Sequence, residues 1–285
     1  MNIAVADMTS PIEGSELIRR ARELQPRLRD RARATEQAGR VDPETIADFQ
    51  KAGFFKMFQS SYWGGYQSHP ADIFRVQETL AQACPSSAWV MGVVGVHNWQ
   101  LAHFSKQAQQ DVWGDDPTVL LSSSYAPTGK VEEVDGGCIL SGRWHYSSGV
   151  DHVDWVLLGA NIPTDGPFPD YRTYLVPKSD FTIVDDWNVM GLRGTGSKSV
   201  QIERAFVPLH RQLPIIASQT FSTPGLAEGT AESPLFRVPF PTIFGACITT
   251  PALGAAQRML DIFVENSAQA ASLYSGARWA DEQAT

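Results

Sequence analysis

Apolar residues recur through the first hundred positions at the three- and four-residue spacing of amphipathic helices. Leu17, Ile18, Ala21, Leu24 and Leu28 form one stripe, with arginines and glutamates between them. Asp42-Pro43-Glu44 reads as a helix start: an N-cap oxygen, then a proline whose missing N–H has no partner in a first turn anyway. Ile46 and Phe49 continue that face, and Gly53 can end it. After a loop of Ser, Tyr, Trp and Gly over 60–68, Pro70 opens a stripe of Ile73, Val76, Leu80 and Ala83. Ser87 is expected to cap a helix over 88–104, and Ser105 another that ends near Trp113. The 88–104 segment has almost no charge, so it is expected to be buried on most sides. Its polar members His97, Asn98 and Gln100 then need partners or a cavity.

The period changes near Thr118. Short β-rich runs follow at 119–121, 130–134, 138–146, 154–159, 171–176, 181–184 and 199–207. Turn residues separate them, and Asp135-Gly136-Gly137 is a hairpin signal. No connection between them has helix length, so the strands are expected to be antiparallel, a barrel or sandwich and not a Rossmann unit. Residues 212–241, rich in Ser, Thr, Pro and Gly, read as a long loop. Thr250-Pro251 then starts a last helix with Leu253, Ala256, Leu260, Phe263 and Val264 on it. The expected organisation is α+β and multidomain: a helical domain over 1–117, a central antiparallel β-domain over 118–211, and over 212–285 a loop and the start of a C-terminal helical domain.

Composition narrows the classes. With 285 residues, 43% hydrophobic and 19% charged, general disorder is excluded. A net charge of −8 argues against nucleic acid as a partner, which requires a clustered basic face. Eight arginines lie between Arg19 and Arg40, but Glu13, Glu16, Glu23, Asp30 and Glu36 accompany them, so this reads as a solvated helix face. Cys84, Cys138 and Cys247 fit no disulfide framework or zinc spacing and suit a reducing compartment. Residues 1–10 have no secretory pattern, and the apolar runs at 88–96 and 243–256 fall short of the ~20 residues of a membrane span. A cytoplasmic protein with no membrane association is expected.

Standard catalytic motifs are absent: no GxSxG, no HExxH, no P-loop. Gly191-Leu-Arg-Gly-Thr-Gly196 imitates a dinucleotide fingerprint but opens a strand, whereas the Rossmann motif opens a helix. His145 and His152, near Asp151 and Asp154, lack the three converging ligands of a zinc or iron site, so no metal is expected. His145 alternates with Trp144 and Tyr146, which leaves its face open. Two serine-rich segments, 121–129 and 144–149, end predicted strands. Their hydroxyls and free N–H groups suit a planar polar ligand such as a flavin's pyrimidine ring, although spacing alone favours turns that merely close the strands.

Four separated stretches carry a resemblance: Ser87-Ala-Trp-Val-Met-Gly-Val-Val-Gly-Val-His97-Asn-Trp-Gln-Leu; the segments 122–129 and 144–149; and Gly191-Leu-Arg-Gly-Thr-Gly-Ser197 through Val207-Pro208. In this order, over nearly the whole chain, they resemble the flavin-dependent two-component monooxygenases built on the acyl-CoA dehydrogenase fold, in particular those acting on phenols, steroid-derived ones included. The resemblance implies helices, a β-domain and a C-terminal bundle. It implies reduced FMN or FADH2 from a separate NAD(P)H-dependent reductase, O2 as co-substrate, a C4a-hydroperoxyflavin, and hydroxylation ortho to a phenol oxygen. It also implies a homotetramer, and further helices beyond Thr285 that supply a second histidine. Carried over, Trp89 packs on the flavin; Ser123, Ser124 and Tyr125 with Tyr146, Ser147 and Ser148 surround its polar edge; Ser148 holds the N5 region; and His97 is the base or polariser for the phenol. An acyl-CoA dehydrogenase, and a flavin-binding homologue without turnover, are the alternatives.

Overall fold

The computed structural model describes residues 12–162, 164–167, 169–268, 270, 271, 276 and 278. The sequence readings made on residues 1–10 lie outside them.

Five helices come first: α1 (Gly14–Ala38), α2 (Pro43–Ala52), α3 (Pro70–Ala81), α4 (Pro85–Leu101) and α5 (Lys106–Trp113). Local chemistry sets most of their ends. Asp42 accepts from the Glu44 N–H at 2.8 Å, and Gly53 closes α2 in the left-handed region at φ 84°. Ser105 caps α5 by accepting from the Ala108 N–H at 3.3 Å. The start of α4 differs from expectation, because the helix begins at Pro85 with Cys84 at its N-cap. Proline's fixed φ suits that first position, so Ser87 lies inside the first turn and bonds Cys84 Sγ at 3.2 Å. Helix α4 is buried nearly all round, as its lack of charge foretold. The arginine-rich α1 is laced by ion pairs, among them Arg31 to Asp48 and Glu44 of α2 at 2.8 and 2.6 Å.

Seven strands form one sheet in the order β5-β6-β2-β1-β3-β4-β7: β1 (Leu121–Val134), β2 (Gly137–Ser147), β3 (Trp155–Ile162), β4 (Asp170–Pro177), β5 (Thr182–Val184), β6 (Lys198–Pro208) and β7 (Gln212–Pro214). Strands β1 and β2 join through a two-residue turn, Asp135-Gly136, with Gly136 at φ 75°. All pairings are antiparallel but one, since β1 and β3 run parallel. Direction alternates over β1 to β4, and β3 docks on the far side of β1, so these two lie side by side pointing the same way, while β6 takes the free edge of β2. Residues 121–134, expected as two runs, form one strand whose first part pairs with β3 and whose second part pairs with β2.

The connector 212–241 is not the structureless loop expected. It contributes β7 and the short helices α6 (Ile215–Gln219) and α7 (Pro224–Ala227). Helix α8 (Phe240–Ser267) begins ten residues before Thr250 and runs through Pro251. Proline withdraws the N–H that the Cys247 carbonyl would accept inside a helix. The buried Gln77 Nε2 of α3 takes that place at 2.7 Å, and also donates to the Ala88 carbonyl of α4 at 3.1 Å. A side chain on Gly92 would place its Cβ 2.0 Å from the same nitrogen, so glycine there admits the crosslink between α3, α4 and α8. One apolar core runs through these helices and the inner sheet face, and a smaller one surrounds Trp113, Leu121, Leu157 and Leu175.

Candidate active site

Where α4 and α8 meet the ends of β1 and β2, a cavity of about 320 Å³ opens. Helix α4 supplies Trp89, Val93 and His97, spaced by four along one face. Helix α8 supplies Phe244 and Ile248, again four apart. Strand β1 supplies Ser123, Ser124, Tyr125 and Ala126, and β2 with its following turn supplies His145, Tyr146 and Ser148.

Strict strand alternation would send neighbours to opposite faces. Two irregularities defeat it. The β1–β3 register shifts between Ser124 and Gly129, so consecutive β1 residues reach one cavity. The β2–β6 register shifts between Trp144 and Ser147, with Tyr146 in the left-handed region at φ 67°. This bulge turns both His145 and Tyr146 to the cavity and buries Trp144 and Ser147.

At the inner end, His97 is 1% exposed and its Nε2 lies 2.6 Å from Ser123 Oγ. Burial pulls its pKa down to about 3, opposed by the nearby Val94 carbonyl, so the ring is neutral at pH 7. With the proton of the neutral ring on Nδ1, which makes no hydrogen bond of its own, Nε2 accepts the Ser123 hydroxyl proton. The Tyr125 ring stacks on His97 with centroids 6.1 Å apart and meets Phe240 and Phe244 edge-on at 5.2 Å. Its hydroxyl donates to Gln100 Oε1, and burial drives its pKa upward, so it forms wall, not acid.

At the outer end, Trp89 Nε1 donates to Ser148 Oγ at 3.0 Å, and Ser148 Oγ lies 2.7 Å from Ser197 Oγ. Tyr146 is 73% exposed, with its ring 6.1 Å from that of Trp187. His145 Nδ1 meets Ser199 Oγ at 2.7 Å; Ser199 in turn donates to Asp186 at 2.6 Å. That hydrogen bond and the Arg143 guanidinium hold the Asp186 carboxyl at about 2, against the opposing effect of burial.

The structure thus brings Trp89, His97, Ser123, Ser124, Tyr125, Tyr146 and Ser148 to one cavity. Ser147 is not among the lining: its Oγ is sealed against Ser122 Oγ at 2.6 Å. Ser124 lines the wall, but its hydroxyl is spent on the His145 carbonyl at 2.6 Å. Sequence reasoning missed Val93, Ala126, Phe244, Ile248 and Ser197. Val93 lies midway between Trp89 and His97, eight residues apart on one helix face; Phe244 and Ile248 fall between the expected loop and the expected helix start at Thr250. His145 and His152 do not converge, and among the described residues no three His, Cys, Asp or Glu side chains gather as metal ligands. No helix among them is long and apolar enough to cross a membrane.

A helical block, an antiparallel-rich sheet and a returning helix around an aromatic-walled, serine-edged cavity define the acyl-CoA dehydrogenase type of fold. The family "Acyl-CoA dehydrogenase, N-terminal domain" matches residues 14–116. The chain is 44% identical over 243 residues to the flavin-dependent monooxygenase oxygenase subunit HsaA of Rhodococcus jostii (strain RHA1), covering 85% of this chain and 63% of that relative. It is 33% identical to the p-hydroxyphenylacetate 3-hydroxylase oxygenase component of Acinetobacter baumannii over 94% of this chain and 64% of that relative. The crystal structure of the HsaA monooxygenase from M. tuberculosis superposes with a TM-score of 0.87 at 40% identity, covering 90% of this chain and 68% of that one. The chain belongs to the oxygenase-subunit family of flavin-dependent monooxygenases with the acyl-CoA dehydrogenase fold. It spans about three fifths of the length of the curated relatives it matches, 63% and 61% for the first two.

Proposed function

We propose that the cavity binds the ring of a reduced flavin, FMN or FADH2, beside a phenolic substrate, and that the whole protein is the oxygenase component of a two-component aromatic hydroxylase. One observation carries this reading: a single cavity pairs Trp89 and Ser148 at one end with the buried His97–Ser123 pair at the other. Its donor set fits the group, with flat apolar walls for a planar ring and hydroxyls at the edges for its heteroatoms. When bound, reduced flavin with O2 supplies an electrophilic oxygen atom.

The chain's own residues then do the following. Trp89 would pack on the ring face, and Tyr146 and Ser148 would hold its polar edge, with Ser148 toward N5. Val93, Tyr125, Phe244 and Ile248 exclude water, which suppresses loss of the oxygen as peroxide. A phenol donates its O–H to Ser123, whose own proton is held by His97. Full transfer from a phenol of pKa ~10 to an imidazole held near 3 costs roughly 10 kcal/mol, at about 1.4 kcal/mol per pKa unit. His97 therefore polarises the phenol through Ser123 in the resting complex. It receives the proton as the ring loses electron density during hydroxyl transfer and the O–H becomes acidic.

A separate NAD(P)H-dependent reductase, a steroid-derived phenol, a homotetramer and a cytoplasmic location belong to the same proposal. Three buried free cysteines support a reducing compartment, and the exposed apolar residues of α8, from Leu253 to Val264, support burial against further helices. The test is anaerobic mixing with reduced FMN or FADH2, then oxygen and a panel of phenols. A long-lived absorbing species and catechol product are expected. A protein that purifies yellow and bleaches on adding an acyl thioester is a dehydrogenase instead; silence in both tests leaves a non-catalytic homologue.

A further inference from the structure

The hydroxyls behind Ser148 fix which way its proton points. Four contacts run in series: Trp89 Nε1 to Ser148 Oγ at 3.0 Å, Ser148 Oγ to Ser197 Oγ at 2.7 Å, Ser197 Oγ to Thr195 Oγ1 at 2.7 Å, and Thr195 Oγ1 to the Leu192 carbonyl at 2.9 Å. A carbonyl only accepts and an indole N–H only donates, while a hydroxyl has one proton to give. Thr195 must therefore give its proton to Leu192 and accept from Ser197. Ser197, its proton so used, must accept from Ser148. Ser148 then accepts from Trp89, donates to Ser197, and keeps one lone pair. Thr195 and Ser197 are 2% and 5% exposed, so water does not readily offer an alternative partner.

Ser148 itself lines the cavity. We propose that Thr195 and Ser197 are positioning residues that make Ser148 a hydrogen-bond acceptor toward the ligand, so that the site selects a flavin carrying a proton on N5 over one presenting a lone pair there. This rests on the flavin reading above. Reduced flavin carries N5–H and satisfies the free lone pair of Ser148. Oxidised flavin opposes a lone pair to a lone pair unless Ser148 gives up its bond to Ser197. Product flavin would thus leave more readily than reduced flavin, as a site fed by a diffusing reduced cofactor requires.

The motif Gly191-Leu-Arg-Gly-Thr-Gly-Ser197 gains a purpose here. The Arg193–Thr195 turn folds Thr195 Oγ1 back onto Leu192, and Gly196, in the left-handed region at φ 55°, brings Ser197 round to Ser148. The Gly149 N–H donates to the Thr195 carbonyl at 2.9 Å, so the turn is pinned to the β2 end by backbone as well as by hydroxyls.

The test is the ratio of dissociation constants for oxidised and reduced FMN and FAD, measured anaerobically on the full chain. Wild type is expected to prefer the reduced form by about tenfold or more, the scale of one mismatched buried polar contact. In Thr195→Val the proton of Ser197 turns to Ser148, and the proton of Ser148 turns to the cavity. Oxidised flavin should then bind about tenfold more tightly, and the preference should collapse. Ser197→Ala frees the same proton and should act in the same direction. Thr195→Ser keeps the hydroxyl and should restore the wild-type ratio, which a merely structural role for Thr195 would not require. Circular dichroism and melting confirm that each variant is folded. An unchanged ratio in folded Thr195→Val and Ser197→Ala overturns the proton assignment alone. Failure of wild type to bind either redox form overturns the flavin reading, and this proposal with it.

Discussion

The two ends of the cavity hold one histidine each, and the surroundings make them different reagents. His97 sits 1% exposed on a helix without charge, its pKa pulled down to about 3 by burial. His145 stands with more than half of its side chain in solvent, tied through Ser199 to Asp186 and near the Arg143 guanidinium. The dry end suits a proton that moves only when the chemistry demands it. At the wet end, Tyr146 and Ser148 suit a cofactor that must enter and leave. The same side chain thus takes a chemical part or a part in the cavity mouth according to desolvation, not identity.

The sharpest way to break this comparison is to remove each histidine in turn. His97→Ala is expected to cut hydroxylation in a single turnover by 10²–10⁴-fold, the usual range for loss of a general acid–base group. Reduced-flavin binding should be almost unchanged. His145→Ala should reduce hydroxylation by less than about fivefold, since it leaves Ser123 and its proton acceptor in place. Equal losses, measured as catechol per turnover, would erase the distinction between the ends. Failure of His97→Ala to produce a long-lived absorbing species with oxygen, while still binding reduced flavin, would move His97 from the phenol to the flavin.

Acid stability separates dry from wet histidines without any ligand. His103, just past the end of α4 and packed on Trp99, is also buried, which holds its pKa at about 4; its Nδ1 meets Thr223 Oγ1 at 3.0 Å. Both buried rings are neutral in the folded chain, whereas in the unfolded chain they titrate near 6.5. Between that value and about 4 the unfolded state binds more protons, so stability falls as pH falls, by up to roughly 1.4 kcal/mol per histidine per pH unit. Urea midpoints of wild type should decline from pH 7 to pH 5, and those of His97→Gln/His103→Gln should decline less steeply. Parallel curves would mean that these two rings are wetter than their packing implies.

Much of this was legible in the chain, and the failures have a common cause. Asp42-Pro43, Ser105 and Asp135-Gly136 act on neighbours two or three residues away, so sequence alone located those ends and that turn. Trp89 and His97 lie on one helix, and their shared face follows from spacing. Pro251 misled because its missing hydrogen bond is replaced from Gln77, 170 residues distant from the accepting Cys247. That error displaced the helix start and hid Phe244 and Ile248, which complete the cavity. His145 and Tyr146 share a cavity only because a bulge breaks alternation, and nothing local marks it, since Tyr146 is not a residue that favours positive φ.

The turn after that bulge provides a smaller, purely steric test. Gly149 adopts φ 72°, and a Cβ there would lie 2.9 Å from Val90 Cγ1 and 3.0 Å from Val94 Cγ2, on the α4 face behind Ser148. Gly149→Ala should cost about 1–3 kcal/mol in denaturant unfolding through strained backbone and crowding. It should also loosen the Ser148 end, weakening flavin binding more than it disturbs the Ser123 end. A variant as stable as wild type would mean that α4 can yield at this point.

Tyr146 yields the smallest effect and the one of opposite sign. A non-glycine residue at φ 67° carries backbone strain on the order of 1 kcal/mol, and its ring, 73% exposed, recovers little by burial. Asparagine tolerates this conformation far better, so Tyr146→Asn should raise the unfolding free energy by up to about 1 kcal/mol. The ring that the strain holds at the mouth, near those of His145 and Trp187, would be lost. Weaker flavin binding in a more stable protein is therefore expected, by titration and by melting of the same sample. A variant that gains stability and binds flavin as tightly as wild type would strip Tyr146 of its place at the wet end and leave Ser148 and Trp89 to hold the cofactor there. One that loses stability would mean that the ring's contacts outweigh the strain.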